Sequence, residues 1–354
     1  MPNTATIHPE IGVVFAAGLD WIMGDPPWLL HPVVVMGWVI RWMREFLETV
    51  AGTNRLALSL GGGLITLCIV LGSCAIGWAV ERLCFADSPN HEWGWILLVV
   101  GLASALAARS LRSSVLAVVK ALTIHSHDGD FRSARKQLSR IVSRDVNQLD
   151  ESEILRAAAE SASENAVDGI FAPLFWMIVG IALWRVNISL PGPLALVWAF
   201  KASSTLDSML GYKIGKLQWI GTVGACLDDL LTWVPCRLVM LSLPLVSRSW
   251  NRWLILVKAA ERDGAPDPSP NAGRSEAIFA HCAEVQLGGC NRYKSSWVNK
   301  PILGMNYPPA DQAAILTVLN LSHRLEGLWL FSILLVHLNP ASIELASIST
   351  SINW

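Results

Sequence analysis

The sequence is poor in charged residues and lacks the residue patterns of several common kinds of site. Charged residues make up 16% of the 354 residues, and 27 basic and 28 acidic side chains nearly cancel. A net charge near zero argues against nucleic-acid binding. The seven cysteines include no Cys-x-x-Cys pair and no histidine partner at zinc-like spacing. Neither a disulfide framework nor a structural zinc site is therefore expected.

Nucleotide-binding fingerprints and a cleavable leader are missing as well. The chain has no Gly-x-x-x-x-Gly-Lys-Ser/Thr phosphate loop and no dinucleotide-binding glycine pattern. Its first ten residues contain no lysine or arginine, whereas a signal peptide begins with a basic region. Any nucleotide site must be non-standard, and we expect the amino-terminal apolar segment to be retained.

Apolar residues, in contrast, are abundant. They make up 53% of the chain, and the mean hydropathy is +0.43. We therefore predict an all-α, polytopic integral membrane protein with broken or re-entrant helices and helical cytoplasmic loops. The strongest candidate spans are 56–80 and 93–108, followed by a pair at 172–184 and 190–200 and by weaker segments at 11–23, 230–246 and 325–338.

The basic residues predict the orientation of these spans. Nine lie between Arg109 and Arg156 and nine between Arg237 and Lys300, whereas the turns at 81–92 and 185–193 carry one each. Under the positive-inside rule the two basic blocks face the cytoplasm. We expect a multi-pass inner-membrane protein with one synthase domain over 1–340, cytoplasmic segments at about 109–165 and 247–324, a cytoplasm-facing active site and a tail at 341–354.

Three acidic residues form the most distinctive pattern in the chain. Glu160, Glu164 and Asp168 recur every four residues just before an apolar segment. On a helix they fall within an arc of about 80° and lie roughly 6 Å apart, where two like charges repel by roughly 3 kcal/mol at an effective dielectric near 20. Such a stripe predicts a bound cation. The alternative is a solvated helix face on which Arg156 pairs with Glu160.

A second group of polar residues follows the first apolar segment. Asp20, Asp25 and His31 flank the consecutive prolines Pro26 and Pro27, which cannot extend a helix. An acid beside an apolar membrane segment is costly, so it indicates function by default. The alternative for these residues is a turn or a helix cap.

Two further sets of residues fit phosphate and metal binding. The run after the predicted pair of spans 172–184 and 190–200 contains Lys201, Asp207 and Lys213. Asp228 and Asp229 precede the next apolar segment. Magnesium on nucleotide phosphates usually takes only one or two protein carboxylates. Lysines and arginines such as Arg109 could bind an anion, although each could equally be a membrane anchor.

A proline-rich run predicts a tight loop before a helix. Pro266–Gly273 contains three prolines, Ser269 and Asn271, and we expect a helix to begin at Ser275 and to include Glu276. Free amide groups at a helix start can bind an anion. The alternative is a plain helix-entry turn.

Together these runs resemble the cobalamin-biosynthesis family of membrane adenosylcobinamide-phosphate synthases (CobD/CbiB). The resemblance spans roughly Asp20 to Gly304, with Cys226 and Thr232 as departures from the family pattern. The matching pieces, in order, are Gly24-Asp-Pro with His31-Pro32 and Gly37; Arg109-Ser-Leu; Glu160 with Ser163-Glu-Asn-Ala-Val-Asp-Gly169 and Ala172-Pro-Leu; Thr205-Leu-Asp-Ser-Met-Leu-Gly-Tyr212; Leu227-Asp-Asp229 with Pro235 and Arg237-Leu; and Ser269-Pro-Asn-Ala-Gly273 with Glu276-Ala.

The resemblance implies ATP- and Mg²⁺-dependent amide formation between the propionate carboxylate of adenosylcobyric acid and aminopropanol or its phosphate. The bilayer is an expected partner, as is a second copy of the chain. The alternative is a membrane transporter or sensor that uses the same acids as an ion path. The predicted site consists of catalytic Glu160, Glu164, Asp168 and Asp207; substrate- or phosphate-binding Asp25, His31, Arg109, Lys213, Ser269, Asn271, Gly273 and Glu276; and metal-binding Glu164, Asp168, Asp228 and Asp229.

Overall fold

A computed structural model describes residues 8–26, 30–85, 91–125, 130–293 and 296–338. Helices dominate these residues, and one antiparallel hairpin lies between the last two helices. In chain order the elements are α1 Pro9–Met23, α2 Pro32–Ala51, α3 Arg55–Arg82, α4 His91–Ala103, α5 Ala108–His125, α6 Arg132–Leu138, α7 Glu151–Ala166, α8 Ala172–Val186, α9 Pro193–Leu210, α10 Leu217–Ile220, α11 Thr222–Val246, α12 Trp253–Gly264, α13 Ala272–Ala283, β1 Leu287–Tyr293, β2 Ser296–Leu303 and α14 Gln312–Leu338.

The helical membrane class predicted from the sequence is confirmed. Four helical stretches are long and apolar enough to cross a membrane, namely Arg55–Arg82, Glu92–Ile124, Glu151–Val186 and Thr222–Val246. The last of these continues through Pro235 and Pro244. Membrane helices tolerate proline where neighbouring groups satisfy the freed carbonyls.

Two of these stretches reach into segments predicted to be cytoplasmic. In Glu151–Val186, 61% of the most apolar part is buried inside the protein. Helix α7 is rich in alanine, and its buried residues include Ala157, Ala158 and Ala159. A helix that is buried in protein on most sides is apolar all round, as is a helix that is surrounded by lipid. Hydropathy therefore does not distinguish a buried helix from a membrane-spanning one.

The chain folds into two compact units that alternate along the sequence. Unit 1 comprises 1–107, 172–231 and 329–354, and unit 2 comprises 108–171 and 232–328. The predicted domain over 1–340 thus contains two centres of packing. The predicted tail at 341–354 lies outside the described residues.

The core of unit 1 forms where α2, α3, α9 and α10 pack together. Gly62 of α3 lies against α10 so closely that a Cβ would stand 2.1 Å from the Ile220 carbonyl oxygen. Only glycine fits at such a contact. The buried side chains of this core are Met36, Ile40, Leu58, Ile65, Ile69, Ala202, Leu206, Leu210 and Ile220.

An acidic side chain from α3 caps α9 within unit 1. The sequence predicted a turn at 81–92 that includes Glu81. In the structure α3 continues to Arg82 and Glu81 is fully buried. Its carboxylate accepts hydrogen bonds from the backbone amides of Gly192 at 2.8 Å, Leu194 at 2.7 Å and Ala195 at 3.0 Å. These amides have no partners inside α9, so a remote carboxylate satisfies the groups that a local cap normally would.

In unit 2, α7 is the central helix. It begins at a capping box in which Asp150 accepts from the Glu153 amide at 2.8 Å and Glu153 accepts from the Asp150 amide at 3.0 Å. The helix packs against α5, α6, α13 and β1. It ends in a π-helical turn at Val167–Phe171, which contains Asp168. Such turns occur frequently at functional sites.

Candidate functional site

The first acid of the predicted stripe is fully engaged in ion pairs. Glu160 is 1% exposed and pairs with Arg144 through one oxygen. Its other oxygen accepts from the Gly288 amide at 2.8 Å and lies 3.6 Å from Arg156. The predicted pairing with Arg156 is therefore present, but the predicted solvated face is not, because Glu160 is buried. Arg144 comes from the loop before α7 and also donates to Asn291 at 2.6 Å.

A second ion pair lies beside the first and centres on a lysine that sequence analysis missed. The ammonium of Lys300, on β2, is 3.1 Å from Glu276 of α13 and 3.6 Å from Asp267. All three side chains are largely buried. We call Arg144, Glu160, Asp267, Glu276 and Lys300, together with the partly exposed Glu164 whose charge acts on Glu276, the buried ion cluster.

Burial and neighbouring charges shift the titration of this cluster. Burial raises the pKa of Glu276 to about 8; Lys300 opposes the rise, and the charges of Glu160 and Glu164 add to it. Burial lowers the pKa of Lys300, but the carboxylates of Glu276, Glu164 and Asp267 outweigh burial and raise it above its usual value. Lys300 thus stays cationic, whereas Glu276 can exchange a proton near neutral pH.

Glu164 is the least engaged carboxylate of the cluster. It is partly exposed, and no hydrogen bond to its side chain is found among the residues that the structure describes. The charges that act on it include those of Lys300, Asp267 and Arg144. Its carboxylate is therefore available to bind a cation or a substrate, whereas that of Glu160 is committed to Arg144 and Gly288.

The proline-rich loop is held by its own side chains and by α11. Arg237 donates to the Asn271 side chain at 2.6 Å and to the Pro270 carbonyl at 2.9 Å. The Ser269 hydroxyl accepts from the amides of Asn271 and Ala272, each at 3.2 Å. Helix α13 begins at Ala272, three residues before the predicted start, with Asn271 as its N-cap residue.

Gly273 is required by packing in this loop. A Cβ at Gly273 would lie 2.3 Å from the Cβ of Asp267 and 2.6 Å from the Gly264 carbonyl oxygen. This contact supports the helix-entry alternative for Gly273. Because Gly273 has no side chain, Asp267 can lie beside Lys300 in the buried ion cluster. This packing role of Gly273 holds whether or not the loop binds phosphate.

The predicted metal ligands belong to both units. Glu164 and Asp168 are in unit 2, whereas Asp228 and Asp229 are in unit 1, as is Asp207, which was predicted to be catalytic. The charged groups that act on Asp228 are Asp207, Asp229 and Lys201. One oxygen of Asp228 is buried without a hydrogen-bond partner in the described part of the chain. A carboxylate oxygen in that situation fits a bound cation.

Larger metal-binding groups are not found. Across the described ranges, no three or more His, Cys, Asp or Glu side chains converge as metal ligands. This finding leaves a magnesium site with one or two protein carboxylates possible, since that ion usually retains several waters.

The other predicted residues are placed differently. His31 caps α2 and lies 3.3 Å from Asp25 in unit 1. Arg109 and Lys213 are exposed, in units 2 and 1 respectively. Exposure suits the membrane-anchor alternative for these two residues as well as phosphate binding.

Sequence analysis missed Arg144, Asp267 and Lys300. Asp267 stands between two prolines in the proline-rich run Pro266–Gly273. That position was the only sequence feature that pointed to it. Arg144 lies in the loop before α7, and Lys300 was counted only as part of a basic block. Nothing in their spacing indicates these pairings, which span 16 residues for Arg144 with Glu160 and 24 for Lys300 with Glu276.

Comparison with known proteins gives one consistent result. The sequence model described as "CobD/Cbib protein" matches residues 13–322. The chain is 38% identical over 313 residues to a protein of Synechocystis sp. named "Cobalamin biosynthesis protein CobD", covering 87% of each chain. It is 35% identical to the Klebsiella pneumoniae protein of the same name, covering 89% of this chain and 91% of the relative. It is also 35% identical to "Cobalamin biosynthesis protein CbiB" of Salmonella typhimurium, with coverages of 89% and 92%. No solved structure matches the chain significantly.

Proposed function

This chain belongs to the CobD/Cbib family of cobalamin biosynthesis proteins, and from that premise we propose that it is an adenosylcobinamide-phosphate synthase. The proposed reaction joins the propionate carboxylate of adenosylcobyric acid to the amine of aminopropanol or its phosphate. ATP donates its terminal phosphoryl group to the carboxylate, the amine displaces phosphate, and the products are an amide, ADP, phosphate and a proton. A corrinoid substrate and a lipid environment suit a membrane protein of this family.

The buried ion cluster is the observation that carries this proposal. Arg144 and Lys300 hold Glu160 and Glu276 in buried ion pairs, and the carboxylate of Glu164 beside them is open to a cation or a substrate. Charges in a buried, water-poor site act more strongly than in solvent. The same burial keeps water from an activated carboxylate, which would otherwise hydrolyse.

We assign proton transfer to Glu276. The amine substrate is an ammonium ion near neutral pH and must lose a proton before it can attack. A general base works best when its pKa lies near the operating pH, and the pKa of Glu276 is raised to about 8. Lys300 bonds one oxygen, Oε1, and we propose that the second oxygen accepts the proton.

Each of two predicted carboxylate pairs is a separate candidate to hold magnesium, Glu164 with Asp168 in unit 2 and Asp228 with Asp229 in unit 1. When bound, it would neutralise charge on the nucleotide phosphates. The open carboxylate of Glu164 and the buried oxygen of Asp228 support this assignment. Ser269 and Asn271 hold the loop through their side chains, and we propose that the loop backbone approaches a phosphate.

The test is amide formation by the purified chain in lipid nanodiscs. Adenosylcobyric acid, MgATP and aminopropanol phosphate are supplied, and the corrinoid product is identified by mass spectrometry. We expect Glu164→Gln to abolish the product without changing thermal stability, and Glu151→Gln, at the other end of α7, to remain active. Absence of ATP-dependent product from the wild-type chain refutes the proposal. Ion flux through the same chain in liposomes would then favour the transporter alternative.

A further inference from the structure

Helix α2 has an apolar face that is exposed in the described part of the chain. Its core face, which includes Met36 and Ile40, packs against α3 and α9. On another side, exposed apolar residues recur every three or four positions, as they do along one face of a helix. These residues are Val35, Val39, Trp42, Phe46 and Val50. The exposed fraction is largest in the second half of the helix, at 67% for Trp42, 64% for Phe46 and 72% for Val50.

The second half of α2 also contains all of the charged residues of this helix. Arg41 and Glu45 are exposed, and Arg44 pairs with Glu48 at 2.6 Å. Successive residues of a helix are about 100° apart, so these four residues form a strip between the core face and the apolar face. A charged side chain is costly inside the hydrocarbon of a bilayer. This cost agrees with the finding that α2, although it has 20 residues, is not among the four described stretches that are apolar enough to cross a membrane.

The apolar face and the charged strip together indicate where the helix lies. A large exposed apolar patch argues against a helix surrounded by water, and four charges argue against a helix that crosses the bilayer. A helix at the membrane surface satisfies both features, because its apolar face enters the boundary between headgroups and acyl chains while its polar strip stays in water. The rings of Trp42 and Phe46 stack with their centroids 6.5 Å apart, so they form one continuous apolar surface.

The neighbours of this half of α2 lie at one end of unit 1. A turn at 52–54 joins α2 to α3, which is one of the four candidate membrane helices. Gly61 of α3 lies against Leu47, because a Cβ at Gly61 would stand 2.2 Å from the Leu47 Cδ1. Lys216, at the start of α10, donates to the Glu48 carbonyl at 3.4 Å. The ends of a membrane-spanning helix lie at the bilayer surface, and the second half of α2 is therefore at that level.

The same end of unit 1 has an excess of basic residues. The ranges 41–55 and 211–220 contain five basic and two acidic residues. The guanidinium of Arg55 lies 5.3 Å from the centroid of the Trp219 ring, and tryptophan and basic side chains are both enriched where a helix leaves the hydrocarbon. An excess of positive charge at a bilayer surface attracts anionic lipid headgroups.

We propose that residues 41–51 of α2 are a surface anchor that lies in the headgroup region of a bilayer containing anionic lipids. The face formed by Trp42, Phe46 and Val50 enters the lipid, and basic residues around it, including Arg41 and Arg55, bind headgroup phosphates. A second copy of the chain is the other occupant that such a face can take. Lipid is favoured over a second copy, because a symmetric dimer places the same patch on both partners and the excess positive charge would repel. This inference rests on the membrane class of the chain and not on the proposed reaction.

The first experiment identifies what covers the apolar face. The photoreactive residue p-benzoylphenylalanine replaces Phe46 in the full chain, which is placed in nanodiscs with equal amounts of phosphatidylcholine and phosphatidylglycerol. After irradiation, the adducts are identified by mass spectrometry. We expect lipid adducts at position 46, and loss of these adducts when the probe is instead at position 45, because Glu45 is exposed on the polar strip. Position 50, on the same face as Phe46, should behave as position 46 does.

Cysteine labelling tests whether the polar strip is in water. Both sides of a nanodisc are open to reagent, and peptide mass spectrometry separates an introduced cysteine from the native ones. Glu45→Cys should react with an impermeant maleimide, whereas Phe46→Cys should be protected by lipid. A helix that crosses the bilayer would protect both positions.

The lipid composition of the adducts tests the charge. Phosphatidylglycerol should exceed phosphatidylcholine among the adducts at position 46. Arg41→Gln combined with Arg55→Gln should reduce this excess by up to about fivefold for each charge removed. Lys258→Gln, which removes an exposed cation from unit 2, is the matched control and should leave the ratio unchanged.

Four outcomes overturn the proposal. A covalent dimer in place of the lipid adduct at position 46 would assign the face to a second copy of the chain. Equal lipid adducts at positions 45 and 46, or protection of both introduced cysteines, would show that α2 does not lie at the surface. An unchanged ratio of the two lipids in the double arginine variant would remove the basic residues from lipid binding.

Discussion

Replacement of Lys300 by methionine should destabilise the protein strongly, because Lys300 is the cation nearest to two buried carboxylates. Its ammonium lies 3.1 Å from Glu276 and 3.6 Å from Asp267. Removing one partner of a buried ion pair costs about 3–5 kcal/mol, since the remaining charge stays buried and uncompensated. For domains of 150–250 residues each kcal/mol moves the thermal midpoint by about 2–4 °C, so we expect a drop of about 6–20 °C.

The assay is thermal unfolding of the chain in detergent at pH 8, followed by circular dichroism. Lys258→Met is the matched control, because Lys258 is an exposed lysine on α12 in the same unit. Lys300→Met combined with Asp267→Asn should be more stable than Lys300→Met alone, because the second change removes one uncompensated charge. Equal midpoints for Lys300→Met and Lys258→Met would refute the ion-pair reasoning.

Three further predictions follow from the described contacts. The pKa of Glu276 is raised to about 8 in the folded state from an ordinary value of 4.5, so the folded chain binds more protons than the unfolded chain between these pH values. The contribution of Glu276 to stability should therefore fall as pH rises from about 4.5 to 8. Glu276→Gln should remove that part of a measured pH–stability curve. Glu160→Gln should lower the free energy of unfolding by about 3–5 kcal/mol, because it leaves Arg144 buried without its carboxylate. Glu164→Gln should leave the chemical denaturation curve unchanged, and equal losses of stability in the two variants would contradict the distinction between a paired and an open carboxylate. The exposed thiol of Cys290 and a cysteine introduced at exposed Ser139 should react with impermeant maleimide only from the cytoplasmic side of oriented vesicles, and labelling from the other side would reverse the predicted orientation.

Much of the local structure could be predicted from the sequence. The span at 56–80 corresponds to α3, and α7 begins at a capping box, Asp150 with Glu153, that is visible in the sequence. Both have local causes, since an uninterrupted apolar run forms a membrane helix and an Asp with Glu three residues later forms a capping box. The start of α13 was predicted three residues late; it lies in a loop where the Ser269 hydroxyl accepts from the Ala272 amide and Arg237, distant in sequence, donates to Asn271.

The composition of the site was only partly predictable. Glu160, Glu164 and Glu276 were predicted as site residues, and the structure brings them into one cluster. Their cations were not identified, because Arg144 and Lys300 approach α7 from a loop and a strand that no helical periodicity relates to it. Glu81 was likewise treated as a turn residue, although its role depends on amides about 110 residues away.

The sequence by itself determined the class of the protein, because apolar runs, caps and helix-forming segments act over a few residues and are visible in the order of amino acids. Tertiary structure decided which carboxylates are neutralised and which remain available. Glu160 and Glu164 stand one helical turn apart with the same chemistry, yet one is bound by Arg144 and the Gly288 amide and the other is partly exposed. Charge interactions depend on distance and burial through space, and the separation of two residues along a chain fixes neither.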